Sequence, residues 1–473
     1  MVMNGDQQAV SLDEVLANID TGYFHTRLWW VCGLGFAAAA IEVVVMAFVF
    51  PELRDAWKLD EYQLGTLASI VGLGSIIGEC IWGAVADRIG RRPVFLMTVI
   101  VVVAAGIASA CAPGPMVLCG TRFLVGFGYG GNIAVDFALL SEFLATEARG
   151  KHLFFVATFW PVGQLFTTLL AWSLIPHHGW RAFMACCALP SLLAAFSRPW
   201  IPESPRWLLT KGRVEEATQV LRDIAATNGK RPEEVGLPEG MQVTLANELS
   251  QLTGASGDDF YGGIMKLLSV DLWRTTLGVS IFVSALNFAG YGITTFMPSF
   301  LEMKGIPGRT IYATMTLNAL SQFPGVFGSA ALAPIYGRLT LIHVSLLCAG
   351  VSLLAFAYAR DSVYVAICTC FASMFLESGW AIFHVYVPEA FPTELRASAC
   401  GLLSATGSVF SMVAPFISAY FVERERPFYA ILTFSAIVVS ASVLTWNFLH
   451  IETTDRDLQD KIKSVPSWLK MSG

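Results

Sequence analysis

Residues 83–94 read GAVADRIGRRPV. One long apolar run, 62–85, enters this stretch and another, 94–112, leaves it. Between them Asp87, Arg88, Arg91 and Arg92 crowd into a few positions. Two runs of about 20 apolar residues joined by so short a charged knot read as two membrane crossings that turn at the polar surface. In lipid such runs must be helices, because each backbone N–H and C=O needs a partner within its own segment.

The same pattern fills the chain. Apolar runs lie near 28–50, 62–85, 94–112, 116–139, 153–175 and 180–198, then near 273–297, 310–333, 340–359, 362–386, 397–420 and 428–449. The 473 residues are 55% hydrophobic and 14% charged, against about 25% charged in an ordinary soluble protein. Too little polar sequence remains to cover soluble domains, so a soluble enzyme, a disordered scaffold and a disulfide-rich secreted module are excluded. The net charge of −6 offers no basic face for nucleic acid. The ten cysteines include no CxxC pair, and the histidines have no metal-ligand spacing, so no cofactor or metal is expected. Cys111 and Cys119 flank one short loop and are candidates for a disulfide.

The chain divides into an N-terminal segment (1–27), six spans (28–198), a central polar segment (199–272), six more spans (273–449) and a tail (450–473). The N-terminal segment is polar and has no cleavable signal pattern. Lys and Arg concentrate on the segments that share a side with the termini, even with the long central segment left out, which predicts cytoplasmic termini. Within the central segment Val214, Ala217, Val220, Leu221 and Ile224 fall at helical spacing. TGASGDD at 253–259 reads as a joint, and the whole segment as a cytoplasmic lid. The halves repeat each other. SEFLATEARG at 141–150 returns as PEAFPTELRA at 388–397, so Glu142, Thr146, Glu147 and Arg149 recur as Glu389, Thr393, Glu394 and Arg396. The same offset carries Gly90-Arg91 to Gly337-Arg338. The expected fold is therefore all-α, with twelve transmembrane helices in two pseudo-symmetric six-helix bundles, an architecture suited to alternating access.

Ionisable groups inside a membrane are costly and mark candidate function. Glu42 lies mid-span in the first helix and Glu377 in the tenth, while Glu79 lies deep in the second toward the cytoplasm and Asp136 in the inner half of the fourth. Arg122 is the one clear cation expected opposite them, with His384 a second if protonated. That excess of acid favours a cationic substrate, a proton-coupled cycle, or both. Trp160 and Gln164 share a face of the fifth span, and Glu377, Trp380 and His384 form one stripe on the tenth. Indole faces attract cations, and a glutamine amide can both donate to and accept from a polar solute.

The GAVADRIGRRPV stretch resembles the signature between the second and third spans of the major facilitator superfamily. Gly83, Asp87, Arg88, Gly90, Arg91 and Arg92 all fit it. In the second half the matching segment is APIYGRLT, where Pro334 replaces the acid, so any gate there is asymmetric. PESPRWLL at 202–209 resembles the sugar-porter-like branch. AWSLIPHHGW at 171–180 and IETTDRDLQ at 451–459 look closer to the synaptic vesicle 2-related proteins, which sit beside organic-ion transporters. RFLVGFGYG, from Arg122, resembles the fourth-span motif of these families. On the seventh span Asn287 and Tyr291 fit the sugar-porter pattern, but Phe282 and Val283 stand where its paired glutamines belong.

The resemblance implies a twelve-helix carrier, not an enzyme, that moves a small polar organic solute. An organic cation or zwitterion coupled to protons is the first expectation, a sugar or polyol the second, and a non-transporting vesicle or receptor protein the third. Its path would run through Glu42, Arg122, Asp136, Trp160, Gln164, Asn287, Tyr291, Glu377, Trp380 and His384. The implied cytoplasmic gate comprises Asp87, Arg88, Arg91, Arg92, Glu142, Arg149, Glu389 and Arg396. A monomer in the plasma membrane or an intracellular vesicle membrane is expected.

Overall fold

The twelve crossings follow from apolar runs bounded by helix stops. The computed structural model describes residues 9–238, 240–244, 265–269, 272–391 and 395–453; at 134, 138, 146–151, 388 and 396–398 it describes the backbone alone. Span 1 is Tyr23–Trp57, span 2 Glu61–Ile89, span 3 Arg91–Ala110 and span 4 Pro115–Glu142. Spans 5 and 6 share the 49-residue stretch His152–Trp200. Gly179, at φ 74, breaks the helix between them, a left-handed conformation that glycine adopts without strain. Span 7 is Trp273–Met303, span 8 Gly308–Tyr336, span 9 Arg338–Tyr358, span 10 Ser362–Ala390, span 11 Arg396–Glu423 and span 12 Pro427–Phe448. Ten described segments are long and apolar enough to cross a membrane. One of them is the 5–6 pair. Span 8 falls outside that set because Asn318, Ser321, Gln322, Pro324 and Pro334 interrupt it, yet its 29 residues exceed a bilayer's need.

Caps fix several starts. At span 2, Asp60 accepts from the Gln63 backbone N–H at 2.8 Å, and the Gln63 side chain accepts from the Asp60 N–H at 3.0 Å. At span 10, Asp361 accepts from the Val363 N–H at 2.9 Å.

Spans 1–6 pack on one another, as do spans 7–12. Small residues let backbones touch. A Cβ on Gly126 of span 4 would collide with the Val71 carbonyl oxygen of span 2, and span 8 meets span 10 in the same way at Gly325 and the Met374 carbonyl oxygen. Gly126→Val should therefore destabilise the protein by about 3 kcal/mol or more, since backbone cannot yield as a side chain would. A melting temperature within a degree of wild type would show that spans 2 and 4 can separate freely.

The halves meet where span 1 faces 7, span 2 faces 11 and span 5 faces 8. On the face away from the termini they are closed against each other. There Phe48 and Trp172 stack on Tyr312, Phe50 packs on Phe296, and Arg424 Nη1 donates to the Tyr62 hydroxyl at 3.2 Å.

Residues 9–19 join the central polar segment in a cap on the termini side. Strand β1, Ala9–Ser11, pairs in parallel with β2, Gln242–Thr244, in register Ala9 with Gln242. The helix Leu12–Ile19 buries Leu12, Val15, Leu16 and Ile19 in the same apolar cluster as Leu221, Ile224, Val235 and Val243. The expected amphipathic helix is Val214–Thr227, with Ala217, Leu221 and Ile224 inward. The joint at 253–259 and nearly all of the 450–473 tail lie outside the described residues. Cys111 and Cys119 are free thiols, as are the other eight cysteines.

Candidate functional site

A cavity with about 750 Å³ of unfilled space lies between the halves. Trp160 from span 5, Asn287 and Tyr291 from span 7, and Glu377, Trp380 and His384 from span 10 all line it. The i, i+3, i+7 stripe on span 10 places its acid, indole and imidazole on one wall. Phe36, Glu79, Tyr129, Ser404 and Ser408 join them.

Three ionisable candidates are elsewhere. Glu42 and Arg122 do not line the cavity; they form a buried ion pair at 2.7 Å, and Arg122 also donates to the Glu42 main-chain oxygen. Asp136 is likewise engaged. Its oxygens accept from Arg198 Nη2 at 2.9 and 3.0 Å. Arg198 donates further to Asn132 and to the Phe95 carbonyl, and its guanidinium lies 3.7 Å from the centre of the Phe95 ring. Arg122 is therefore not the sole fixed cation in the membrane. Arg198 closes span 6, where the apolar run alone cannot distinguish a buried end from a loop. Each pair cancels its own charge, and the two carboxyls left facing the cavity are Glu79 and Glu377.

These two differ in company. Ser75 donates to Glu79 at 2.9 Å and Ser408, from the other half, at 3.5 Å. Glu377 has no hydrogen-bond or ion-pair partner among the described residues, although only 6% of it is exposed. Beside it, the His384 ring stacks on Phe137 at 4.7 Å and 14°, with Trp380 at 6.0 Å and the Phe36 edge at 6.2 Å. Rings from both halves thus close over the cavity on its termini side. Tyr129 and Tyr291 hydroxyls meet across the halves at 3.3 Å.

Gln164 does not line the cavity. Its Oε1 accepts from Gln322 Nε2 at 2.8 Å, so the two amides bridge spans 5 and 8. Asn318 accepts from the Cys370 thiol at 3.3 Å and ties span 8 to span 10.

The signature loops are pinned within each half. Arg91 lies between Asp87 at 2.6 Å and Glu142 at 3.4 Å. Arg338 pairs with Glu389 at 3.2 Å. Arg88 is exposed, and Arg92 donates to the Pro199 carbonyl. The side chains of Arg149 and Arg396 lie outside the described ones. Sequence reasoning missed two caps. Glu203 accepts from the Arg91 backbone N–H at 2.9 Å, and Glu452 from the Arg338 N–H at 2.9 Å. Each carboxylate sits on a helix start, where the dipole favours it, against a glycine of positive φ, Gly90 or Gly337. PES at 202–204 and IET at 451–453 are thus the same device in the two halves.

Two six-helix bundles around a central cavity that holds two carboxyls define a multi-pass membrane transporter of major facilitator architecture. The profile of the sugar (and other) transporter family matches residues 26–462, and the chain belongs to that family. It is 28% identical to the niacin transporter NiaP of Acinetobacter baylyi, over 94% of this chain and 98% of that one. It is 28% identical to organic cation/carnitine transporter 7 of Arabidopsis thaliana, over 96% and 97%. It is also 28% identical to the synaptic vesicle 2-related protein of Xenopus laevis, over 97% and 84%. Among solved structures, the xylose transporter XylE from E. coli in a partially occluded inward-open conformation shares the fold at TM-score 0.74 and 18% identity, covering 92% of this chain and 100% of that one. The chain is thus a transporter of small organic solutes rather than an enzyme.

Proposed function

We propose that the chain carries a small organic cation or zwitterion, coupled to protons, with both termini cytoplasmic. One observation carries this reading: Glu377 lines the cavity with no cation partner among the described residues, together with Trp380 and Trp160. A substrate ammonium would supply the missing charge, and the indole faces would hold its apolar surround. A proton would neutralise the same carboxyl when the substrate leaves, which couples the two cargoes. Relatives named for niacin and for organic cation/carnitine transport fit a charged organic solute. In this reading the aromatic cluster around His384 is the cytoplasmic gate, and the cycle rocks one six-helix bundle against the other.

A sugar or polyol is the second reading. Asn287 in the cavity and membership of the sugar (and other) transporter family favour it. Uptake into proteoliposomes of organic cations, sugars and carboxylates, with and without a pH gradient, separates the two. Cation uptake enhanced by the gradient is expected. Sugar uptake without cation uptake would replace this reading by the second.

The loops at 83–94 are proposed to stabilise the state closed toward the cytoplasm. Asp87 is largely exposed, and exposed ion pairs contribute about 1 kcal/mol or less. Asp87→Asn should thus express near wild type while transport falls severalfold. Unchanged transport would make the pair incidental.

A further inference from the structure

A second, open pocket lies on the termini side, away from the central cavity. It lies among the starts of spans 1 and 3, the end of span 6 and the helix Val214–Thr227. Arg27 and Arg92 line it. Their guanidiniums are held on two consecutive carbonyls of one turn: Arg27 Nη2 donates to the Trp200 oxygen at 2.5 Å, and Arg92 Nη2 to the Pro199 oxygen at 3.0 Å. That turn sets two cations side by side, where they repel each other.

Neither arginine has a carboxylate partner among the described residues, and Arg27 Nε is buried with no hydrogen-bond partner. A guanidinium offers five N–H donors, so both keep donors for a ligand. The nearby acids do not cancel them. Asp223, on the pocket wall, accepts from Gln219 at 2.8 Å. Glu203 is engaged by the backbone N–H groups of Arg91, Arg92 and Ser204. Two positive charges thus face one negative. At the pocket's edge Trp200 is 62% exposed, and Phe196, a turn earlier on span 6, is 68% exposed. Aromatic side chains at the end of a span sit at headgroup level.

We propose that Arg27 and Arg92 form a binding site for the phosphate headgroup of a membrane phospholipid. The phosphate oxygens accept from the two guanidiniums, and the acyl chains descend past Trp200 and Phe196. A soluble phosphate compound shares the headgroup chemistry but leaves the aromatic rim uncovered. The site joins spans 1, 3 and 6 to the central segment, so an occupying lipid would brace the cap against the N-terminal bundle.

The test uses purified full-length protein, stripped of lipid and titrated in native mass spectrometry with phosphatidylglycerol, with diacylglycerol of the same chains, and with glycerol phosphate. Wild type should bind phosphatidylglycerol about tenfold more tightly than Arg27→Gln/Arg92→Gln, the loss expected for two solvent-exposed charge pairs. Diacylglycerol should bind both alike. Equal phosphatidylglycerol binding by the two proteins would overturn the site. Displacement of the lipid by an equal concentration of glycerol phosphate would overturn the lipid assignment in favour of a soluble ligand. Asp223→Asn keeps the test open should the double variant misfold. Removing the opposing charge should tighten phosphatidylglycerol binding, and unchanged or weaker binding would also overturn the proposal.

Discussion

Glu377→Gln is expected to abolish gradient-driven uptake of an organic cation while leaving the protein folded. The carboxyl touches no partner among the described residues, so its amide replacement breaks no ion pair and keeps its shape. A bound substrate loses a charge-assisted hydrogen bond, worth about 2–3 kcal/mol, or roughly a 30- to 150-fold rise in apparent Kd. Two assays separate its roles. If Glu377 only carries the proton, counterflow without a gradient survives the substitution. If it also binds the substrate cation, counterflow falls with uptake. Wild-type behaviour in both assays would remove the cation reading and leave the sugar or polyol reading standing. Glu79→Gln provides the parallel measurement on the other half.

Arg198→Met should destabilise the protein more than any loss of a surface ion pair. It leaves the Asp136 carboxylate buried among apolar side chains with its partner gone, and breaking a buried pair in this way costs about 3–5 kcal/mol. Asn132 and the Phe95 carbonyl lose a donor as well. Low yield and a melting temperature lowered by many degrees are expected. Pairing it with Asp136→Leu should restore much of the loss, because removing both charges also removes their desolvation penalty. A double variant no more stable than the single one would show that Arg198 acts through its packing on Phe95 instead.

Much of the architecture was legible in the sequence because lipid leaves the backbone so few choices. Apolar runs of about 20 residues give the crossings, and the Glu142–Arg149 and Glu389–Arg396 echo gives the two halves. The span 10 stripe was legible for the same reason: helical spacing fixes which residues share a face, and Glu377, Trp380 and His384 all reach the cavity. The pairing of Glu42 with Arg122 was not. Spacing says nothing of how a helix is rotated against its neighbours, so an acid paired in the wall looks like an acid in the cavity. Arg198 was hidden by its place at the end of a span, where a basic residue is ordinarily interfacial. Glu452 escaped because the segment IET differs from PES in two of three letters and sits two residues off the offset that relates the loops. Only the shared act of capping the next helix reveals the kinship. The helix Leu12–Ile19 could have been found, since Leu12, Val15, Leu16 and Ile19 follow helical periodicity within an otherwise polar stretch.

The parallel pairing of Ala9–Ser11 with Gln242–Thr244 has a consequence for how the protein is made. The first strand emerges from the ribosome about 230 residues before its partner. At synthesis rates of about 5–20 residues per second, it waits roughly 10–50 s with its backbone unpaired. In that interval the whole first bundle is inserted. The strand can close only when the central segment has followed, so the seam forms after one half is complete and before the second is built. It acts as a timing mark in biogenesis, and a bulky tag fused directly ahead of residue 9 would delay that step rather than disturb the finished carrier.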